Sequence, residues 1–475
     1  MANSSLLKKI RKKVDVSGIS SDSRYIKKNY IFFAISGYSV DGTRYIDDAI
    51  KKNASAIVTS NHKILKKKVP IFYVKDVRES LAYVSLEFYN IKINKFIAVT
   101  GTNGKTSVAY FIYHLLKKLN NKVGIIGTIG NSISENINSN LTTPDPITLS
   151  KILHKMTRKK LKYVVMEASS HGLQQKRLLG LNFDLGIMTN ISHDHLDYHK
   201  NYKNYLNSKM LLFKKHLKKN GIGIINEKTN EIKKIKKTLE NKKNIDYFPS
   251  NKKNFNILRI ERSNKTHINV TLRYLNKNYE FLFKNIPIFQ IENLLLAYYS
   301  LVALGFSFIK ISKFITKLPQ IPGRMQFIAK KRSNNAKVFV DFAHTPDALE
   351  KILIEARKMT TGNLHVLFGC GGDRDRSKRR KMGRISVKYA DKVIVTDDNP
   401  RYENAKKIRQ EIIGKEKLIK NIPNRKTAIE RSIKKLKQSD LLIIAGKGHE
   451  KYQIIKNIYH KFDDAKIARE ICAQL

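Results

Sequence analysis

Short, mainly apolar runs punctuate the chain, and between them apolar residues return every three or four positions, as on one face of a helix. In the first ninety residues the runs are IFFAISG at 31–37, SAIVTS at 55–60 and PIFYVKD at 70–76. They predict a small α/β domain over 1–92. From about residue 95 the runs FIAVTG, KVGIIGTIG, YVVMEAS, FDLGIMTN and GIGIINE alternate with helical patterns. Such alternation predicts a parallel sheet covered on both faces, here a central domain over 93–320 that closes with the helical stretch IENLLLAYYSLVALG. Beyond Ile321-Pro322-Gly323 a second series begins, VFVDFAH, LHVLFGCGG, KVIVTDDN and LLIIAGKGH, predicting a third domain over 321–475. Each of its strands ends in glycine, carboxylate or histidine, and ligands of open α/β sheets sit beyond the carboxyl ends of strands.

With 475 residues the chain exceeds the roughly 250 to 300 at which one core stops growing. At 41% hydrophobic and 28% charged residues it has the apolar material for large cores, which excludes wholesale disorder. No apolar run approaches the ~20 residues that span a bilayer, so membrane insertion is not expected. The opening MANSSLLKKIRKK carries no apolar signal core, and the expected location is cytoplasmic. Cys370 and Cys472 form neither a CxxC pair nor a disulfide framework, in keeping with a reducing compartment. The net charge of +53 invites a nucleic-acid partner. Yet the lysines are spread through every segment rather than gathered on one element, so a solvated basic surface without a specific nucleic-acid partner is expected.

Three segments carry chemistry. Gly101-Thr102-Asn103-Gly104-Lys105-Thr106-Ser107 lies between a predicted strand and the helix VAYFIYHLLKKL. Its glycines let backbone N–H groups close around phosphate, Lys105 can reach terminal phosphates, and Thr106 can hold Mg²⁺. It departs from the full GxxxxGK[ST] pattern, since position 99 is Val. Glu167, in MEASSHGL at the end of another apolar run, is a carboxylate placed for a hard cation; a turn-capping Glu is the plainer alternative. NISHDHLDYH at 190–199 crowds His and Asp together. Zinc is one reading of that segment, although the spacing fits no zinc motif; magnesium with a nucleotide is another, and a purely structural role is a third.

These segments occur in order with Pro322-Gly323-Arg324-Met325, DFAHTPDAL at 341–349, GCGGDRD at 369–375, Asp398-Asn399-Pro400-Arg401 and Gly446-Lys447-Gly448-His449-Glu450. Together they resemble the Mur ligase family from about residue 20 to the C-terminus. The resemblance implies an α/β, three-domain architecture with a central P-loop ATPase domain and a Rossmann-like C-terminal domain. It implies contacts to a UDP-muramoyl peptide from Ser21, Ser23, Tyr38, Ser39, Val40, Thr142, Thr143, Ser169, Gln175 and Arg177. ATP would be held by residues 101–107 with Asn293, Arg324 and Asp341, although Gln290 stands where the family usually has asparagine. Thr106, Glu167, His195 and Lys209 would hold Mg²⁺, Lys209 as a carboxylated lysine, and Lys105, Glu167, His195 and Lys209 would be the catalytic set.

In the third domain the resemblance assigns Arg374, Asp398, Asn399, Pro400, Arg401, Gly446 and Glu450 to the incoming amino acid. Meso-diaminopimelate differs from lysine by one carboxylate, which the planar fork of arginine matches with two charge-assisted hydrogen bonds. An intact Asp-Asn-Pro-Arg marks diaminopimelate addition in the family. The activity so implied is ATP-dependent extension of a UDP-muramoyl dipeptide with meso-diaminopimelate, through an acyl phosphate, by a monomer. Three rivals stand beside it: a relative taking another amino acid, such as a lysine-adding synthetase or a folylpolyglutamate synthase; a basic P-loop motor on nucleic acid or an RNA-binding protein; and a non-catalytic descendant that keeps the fold. The motor would need an acidic motor motif or an RNA signature, and neither is found.

Overall fold

The computed structural model describes residues 6–37, 41–64, 67–133, 141–192, 194–249 and 254–475. Its contacts group into two compact units, one of residues 1–253 with 296–314, the other of 254–295 with 315–475.

In the first unit the apolar runs become two sheets. A four-stranded parallel sheet runs Gly18–Ser20, Tyr30–Phe33, Ala54–Thr59, Ile71–Tyr73 in spatial order. A seven-stranded sheet runs Ile245–Phe248, Leu217–Asn226, Phe183–Met188, Lys95–Thr100, Tyr163–Glu167, Val123–Gly127, Gly130–Asn131, parallel except for the last pair. Every residue of Tyr163–Glu167 and Phe183–Met188 is buried, as expected of inner strands covered on both faces. Their neighbour Lys95–Thr100 lies between them, so three motif-bearing strands deliver their carboxyl ends side by side. Helix Lys105–Lys118 follows the central strand, with Gly104 as its N-cap at φ +81°. Helix Pro146–Arg158 starts where Asp145 accepts the N–H groups of Ile147 and Thr148 and proline fills the first turn.

The second unit is built on a six-stranded sheet in the order Gln326–Lys330, Lys337–Asp341, Leu441–Ala445, Leu364–Phe368, Lys392–Val395, Ile419–Asn421. All pairs are parallel but the first, an antiparallel edge that the hydrophobic pattern did not announce. Four adjacent strand ends, after Asp341, Ala445, Phe368 and Val395, carry the motifs of this half. The same unit holds an antiparallel sheet of Phe255–Arg262, His267–Tyr274 and Lys277–Lys284, where the sequence reading had placed no strands. Its middle strand His267–Tyr274 carries buried residues only at alternate positions and the outer two are mostly partly buried or exposed, so no continuous buried run betrays them. Helix Ile288–Ala303 corresponds to the expected IENLLLAYYSLVALG helix.

Ionic ties brace this unit from within. Arg379, with its side chain fully buried, donates to Glu403 at 2.8 and 2.9 Å and to Glu411 at 2.7 Å. Hydrogen bonds from Arg379 hold the Glu403 pKa down at about 2. A carboxylate depressed in the folded state contributes stability that is present above its unfolded pKa, ~4.3, and lost as pH falls through the folded value. Glu403→Gln should therefore lower the thermal midpoint most at pH 7, and the gap to wild type should narrow progressively as pH falls from ~4.5 to about 2. A gap independent of pH would contradict the assignment.

Candidate active site

At the carboxyl end of Lys95–Thr100 the backbone reverses through Gly101 at φ +144°, where an added Cβ would lie 1.9 Å from Thr189 Oγ1. No side chain fits there, and Thr189 and Asn190 clasp the loop from the next strand end. Thr189 Oγ1 donates to Asn103 O at 2.6 Å; Asn190 accepts from Asn103 N at 2.9 Å and donates to Asn103 O at 3.0 Å. Lys105 folds back over the loop, its Nζ donating to Gly101 O at 2.9 Å and Thr102 O at 2.8 Å. Thr106 and Ser107 are buried in the first turn of the helix, whose N-terminal dipole favours anions.

Glu167 is 2% exposed and joins this loop to the neighbouring strand ends. Its Oε2 accepts from Thr106 Oγ1 at 3.0 Å and Thr128 Oγ1 at 3.1 Å, and its Oε1 from Thr128 N at 2.7 Å. Thr143 Oγ1 donates to Glu167 O at 2.7 Å and accepts from Ser169 N at 2.9 Å. Arg177 donates to Thr143 O at 2.7 Å and grips Gln175 Oε1 at 2.6 and 3.1 Å. Thr142 accepts from Thr128 Oγ1 at 3.3 Å. Thr142, Thr143, Ser169, Gln175 and Arg177 thus belong to one hydrogen-bonded network with Glu167.

Lys209, on helix Tyr202–Leu211, is 1% exposed. Its Nζ donates to Gly101 O at 2.7 Å, the carbonyl that Lys105 also uses, and lies 4.5 Å from the Tyr205 ring centroid. Burial and the Lys105 charge push its pKa well below the usual lysine value. His195, half exposed at φ +52°, has Nε2 3.5 Å from Asp194 Oδ2 and its ring 4.8 Å from that of His171. Among the described residues no group of three or more His, Cys, Asp and Glu side chains is close enough to form a metal site. The donor set nevertheless fits a hard cation: a hydroxyl and a carboxylate already meet at Thr106 and Glu167, and oxygen ligands are what magnesium takes. An ammonium does not fit such a set, whereas a buried amine sharing one carbonyl with a second lysine is suited to reaction with CO₂, and a carbamate would add an anionic oxygen.

In the second unit Asp341 receives Met325 N at 2.6 Å and Ala343 N at 2.7 Å. Burial raises its pKa against the pull of Arg324, whose guanidinium lies 4.6 Å from the Phe342 ring centroid. Asn293 is half-buried on helix Ile288–Ala303, and Gln290 Nε2 donates to Arg324 O at 3.4 Å. Asp398, Asn399 and Pro400 are buried at a strand end. Arg401, at φ +51°, donates to Gly372 O at 2.8 Å. Gly371 lies between the two expected carboxylate-binding arginines, an added Cβ meeting Arg401 Nη1 at 2.8 Å and Arg374 Cγ at 3.8 Å. Burial, then the Arg401 charge, lowers the Arg374 pKa, so the two cations repel each other in the absence of an anion. At Gly446, φ +108°, an added Cβ would stand 2.9 Å from Asp398 Oδ2. Asn399 Nδ2 donates to Glu450 Oε2 at 2.9 Å.

Ser21 is exposed and Ser23 buried at the end of the first small strand, where no hydrogen bond among the described residues joins them to the Glu167 network. Tyr38, Ser39 and Val40 lie outside the described residues. The sequence assigns no role to Thr128, Asn190, Tyr205 or Lys447, although Asn190 and Lys447 stand inside quoted motifs. Thr128 follows an apolar run and was open to the strand-end rule applied to Glu167. Tyr205, which meets Thr102 Oγ1 at 2.9 Å, carried no signal among its helical neighbours.

A central strand running through a Gly-Lys-Thr turn into a helix, with a buried acidic strand end beside it, defines a P-loop α/β protein. Three family models match: "Mur ligase family, catalytic domain" at 15–89, "Mur ligase middle domain" at 99–301 and "Mur ligase, glutamate ligase domain" at 323–448. The chain is 43% identical over 476 residues to UDP-N-acetylmuramoyl-L-alanyl-D-glutamate--2,6-diaminopimelate ligase of Rickettsia conorii, covering 98% of this chain and 97% of the relative. It is 36% identical to the first such ligase of Clostridium acetobutylicum, covering 97% and 96%. A solved structure of a UDP-N-acetylmuramoyl-L-alanyl-D-glutamate--2,6-diaminopimelate ligase superposes with a TM-score of 0.67 at 30% identity, over 97% of this chain and 95% of that one. The chain belongs to the Mur ligase family and has its three-domain architecture. Among the described residues no helix is long and apolar enough to cross a membrane.

The loop geometry generates a test. Gly101→Ala would have to relieve both a forbidden φ and a collision with Thr189, and should weaken nucleotide binding by about tenfold or more in calorimetry. Undiminished affinity would contradict a phosphate-cradling role for this loop.

Proposed function

We propose that this protein is an ATP-dependent ligase that joins meso-diaminopimelate to the D-glutamate of UDP-N-acetylmuramoyl-L-alanyl-D-glutamate, supplying a peptidoglycan precursor. The observation that carries the reading is the site around Glu167 and Lys209, built on a chain that aligns over 98% of its length with ligases of that name. In this reading the enzyme is a cytoplasmic monomer with domains at 1–92, 93–320 and 321–475.

Amide formation from a carboxylate needs activation, because oxide is a poor leaving group. The D-glutamate side-chain carboxylate attacks the γ-phosphorus of ATP, a new C–O–P linkage forms, and the bond to ADP breaks. Such transfer is mainly positioning and electrostatics. Residues 101–107 hold the phosphates through loop amides, and Lys105 leaves its two carbonyl partners to follow the charge. Thr106, Glu167, His195 and carboxylated Lys209 would hold magnesium, which supplies positive charge to the phosphate oxygens. Asn293, Arg324 and Asp341 contact the nucleotide.

The muramoyl peptide is held by Thr142, Thr143, Ser169, Gln175 and Arg177, with Ser21, Ser23 and the 38–40 turn taking its uridine diphosphate end. Supporting this assignment, the first five already share hydrogen bonds with the Glu167 strand end. The amine of diaminopimelate then attacks the acyl carbon, and the tetrahedral intermediate expels phosphate. Arg374 and Arg401 pair with the distal carboxylate, a role favoured by their mutual repulsion. Asp398, Asn399, Pro400, Gly446 and Glu450 shape the rest of the pocket.

ADP release should require both the UDP-muramoyl dipeptide and meso-diaminopimelate, and lysine should compete poorly. Lys105→Ala should reduce ADP release by at least ~10²-fold while UDP-substrate binding is retained. Turnover with lysine equal to that with diaminopimelate would transfer the assignment to a lysine-adding ligase; full turnover by Lys105→Ala would remove the loop from the chemistry.

A further inference from the structure

Lys447 lies just past the strand Leu441–Ala445 and is wholly buried. Its ammonium has one partner on its own turn and one on the Asp398–Arg401 segment. Nζ donates to Asn399 Oδ1 at 2.9 Å and to Glu450 Oε2 at 3.2 Å, while Asn399 Nδ2 donates to the same Oε2 at 2.9 Å. Three side chains therefore close a triangle. Asn399 Oδ1 also accepts Ile454 N at 3.0 Å, and Gln453 Nε2 donates to Asp398 O at 2.7 Å, which ties the triangle to the strand Tyr452–Ile455. That strand in turn bonds the backbone of Arg401, by Arg401 N to Ile454 O at 3.1 Å.

The arrangement leaves Glu450 with two unlike oxygens. Oε2 takes two donors, and Oε1 takes no hydrogen bond among the described residues, on a side chain that keeps 22% of its exposure. A carboxylate pinned through one oxygen presents the other in a fixed direction, which is how a recognition group is pre-organised. Lys447 also supplies the positive charge that lets carboxylates gather here. Burial alone would raise the Asp398 pKa, yet Lys447 and Arg425 bring it below the ordinary value. Arg425, fully buried and paired with Asp464 at 2.7 Å, takes up the other side.

We propose that Lys447 is a positioning residue for the amino-acid substrate: it anchors Glu450 Oε2 and Asn399 so that Glu450 Oε1 meets the ammonium group of the incoming diamino acid already oriented. This rests on the functional reading above, in which Asp398–Arg401 and Glu450 contact that substrate. Lys447 itself touches only protein and acts through its two neighbours.

Steady-state kinetics on the full chain separate this role from a purely structural one. Lys447→Met should raise the KM for meso-diaminopimelate by ~10- to 100-fold, as expected for loss of a hydrogen bond to a charged group, with kcat and the KM values for ATP and the UDP-dipeptide within about twofold of wild type. In a Glu450→Gln background the same substitution should add little, because the oriented oxygen is already lost. Where Lys447→Met does not fold, Lys447→Arg, which keeps the charge and moves the donors, should raise the same KM selectively. An unchanged KM for the amino acid, an equal rise for all three substrates, or additive effects with Glu450→Gln would each overturn the proposal. Wild-type protein that forms no ADP with meso-diaminopimelate would defeat the functional reading itself, whereas an active wild type with an unmoved KM in the variants defeats this proposal alone.

Discussion

A carboxylate buried at the end of an inner strand must be met by donors from its neighbours, and in this protein Glu167 imposes that demand. The cost of leaving such a charge unmatched is several kcal/mol. Thr106 meets it from the helix after one adjacent strand and Thr128 from the turn after the other. The register of three parallel strands, the start of helix Lys105–Lys118 and the turn at Thr128 are thereby coupled to one side chain. Thr143, Ser169 and Arg177, proposed to hold the peptide substrate, share the same network, so the 101–107 loop and this segment are tied to one carboxylate strand end.

The second unit solves a similar problem with buried cations. Asp398 and Glu450 gather where Lys447 and Arg425 are wholly buried, and the arginines at 374 and 401 stand on either side of Gly371. Charges of both signs are paired and fixed at these strand ends. Reorganisation is then small when an ionic ligand binds, which is the general advantage of a pre-formed polar site.

How far the sequence disclosed this follows from burial. Strands such as Leu441–Ala445, and Tyr163–Glu167 up to its terminal carboxylate, are covered on both faces, written as apolar runs, and legible. The antiparallel strands between Phe255 and Lys284 were not, because one face is wet and residues such as Arg259 and Lys277 interrupt the pattern. In the site, motif glycines, Lys105 and Glu167 stood out by position at strand ends. Lys447 stands inside the motif Gly446–Glu450, but in a chain of 92 lysines and arginines nothing assigns it a role until its burial is known. Tyr205 was hidden for a related reason, since an aromatic on a helix reads as core, and only the structure shows its hydroxyl against Thr102. Lys209 was singled out by family resemblance, and its burial against Gly101 O supplies a physical ground that its position in the sequence lacked.

The central claim is that this site transfers phosphate to a carboxylate before the amide forms. Labelling the D-glutamate side-chain carboxylate of the UDP-dipeptide with ¹⁸O, and weighing the inorganic phosphate released during turnover with meso-diaminopimelate, tests it most directly. One ¹⁸O atom is expected in each phosphate, carried over when the acyl phosphate is broken by the amine. Phosphate free of label, with both heavy atoms outside it, would contradict the account.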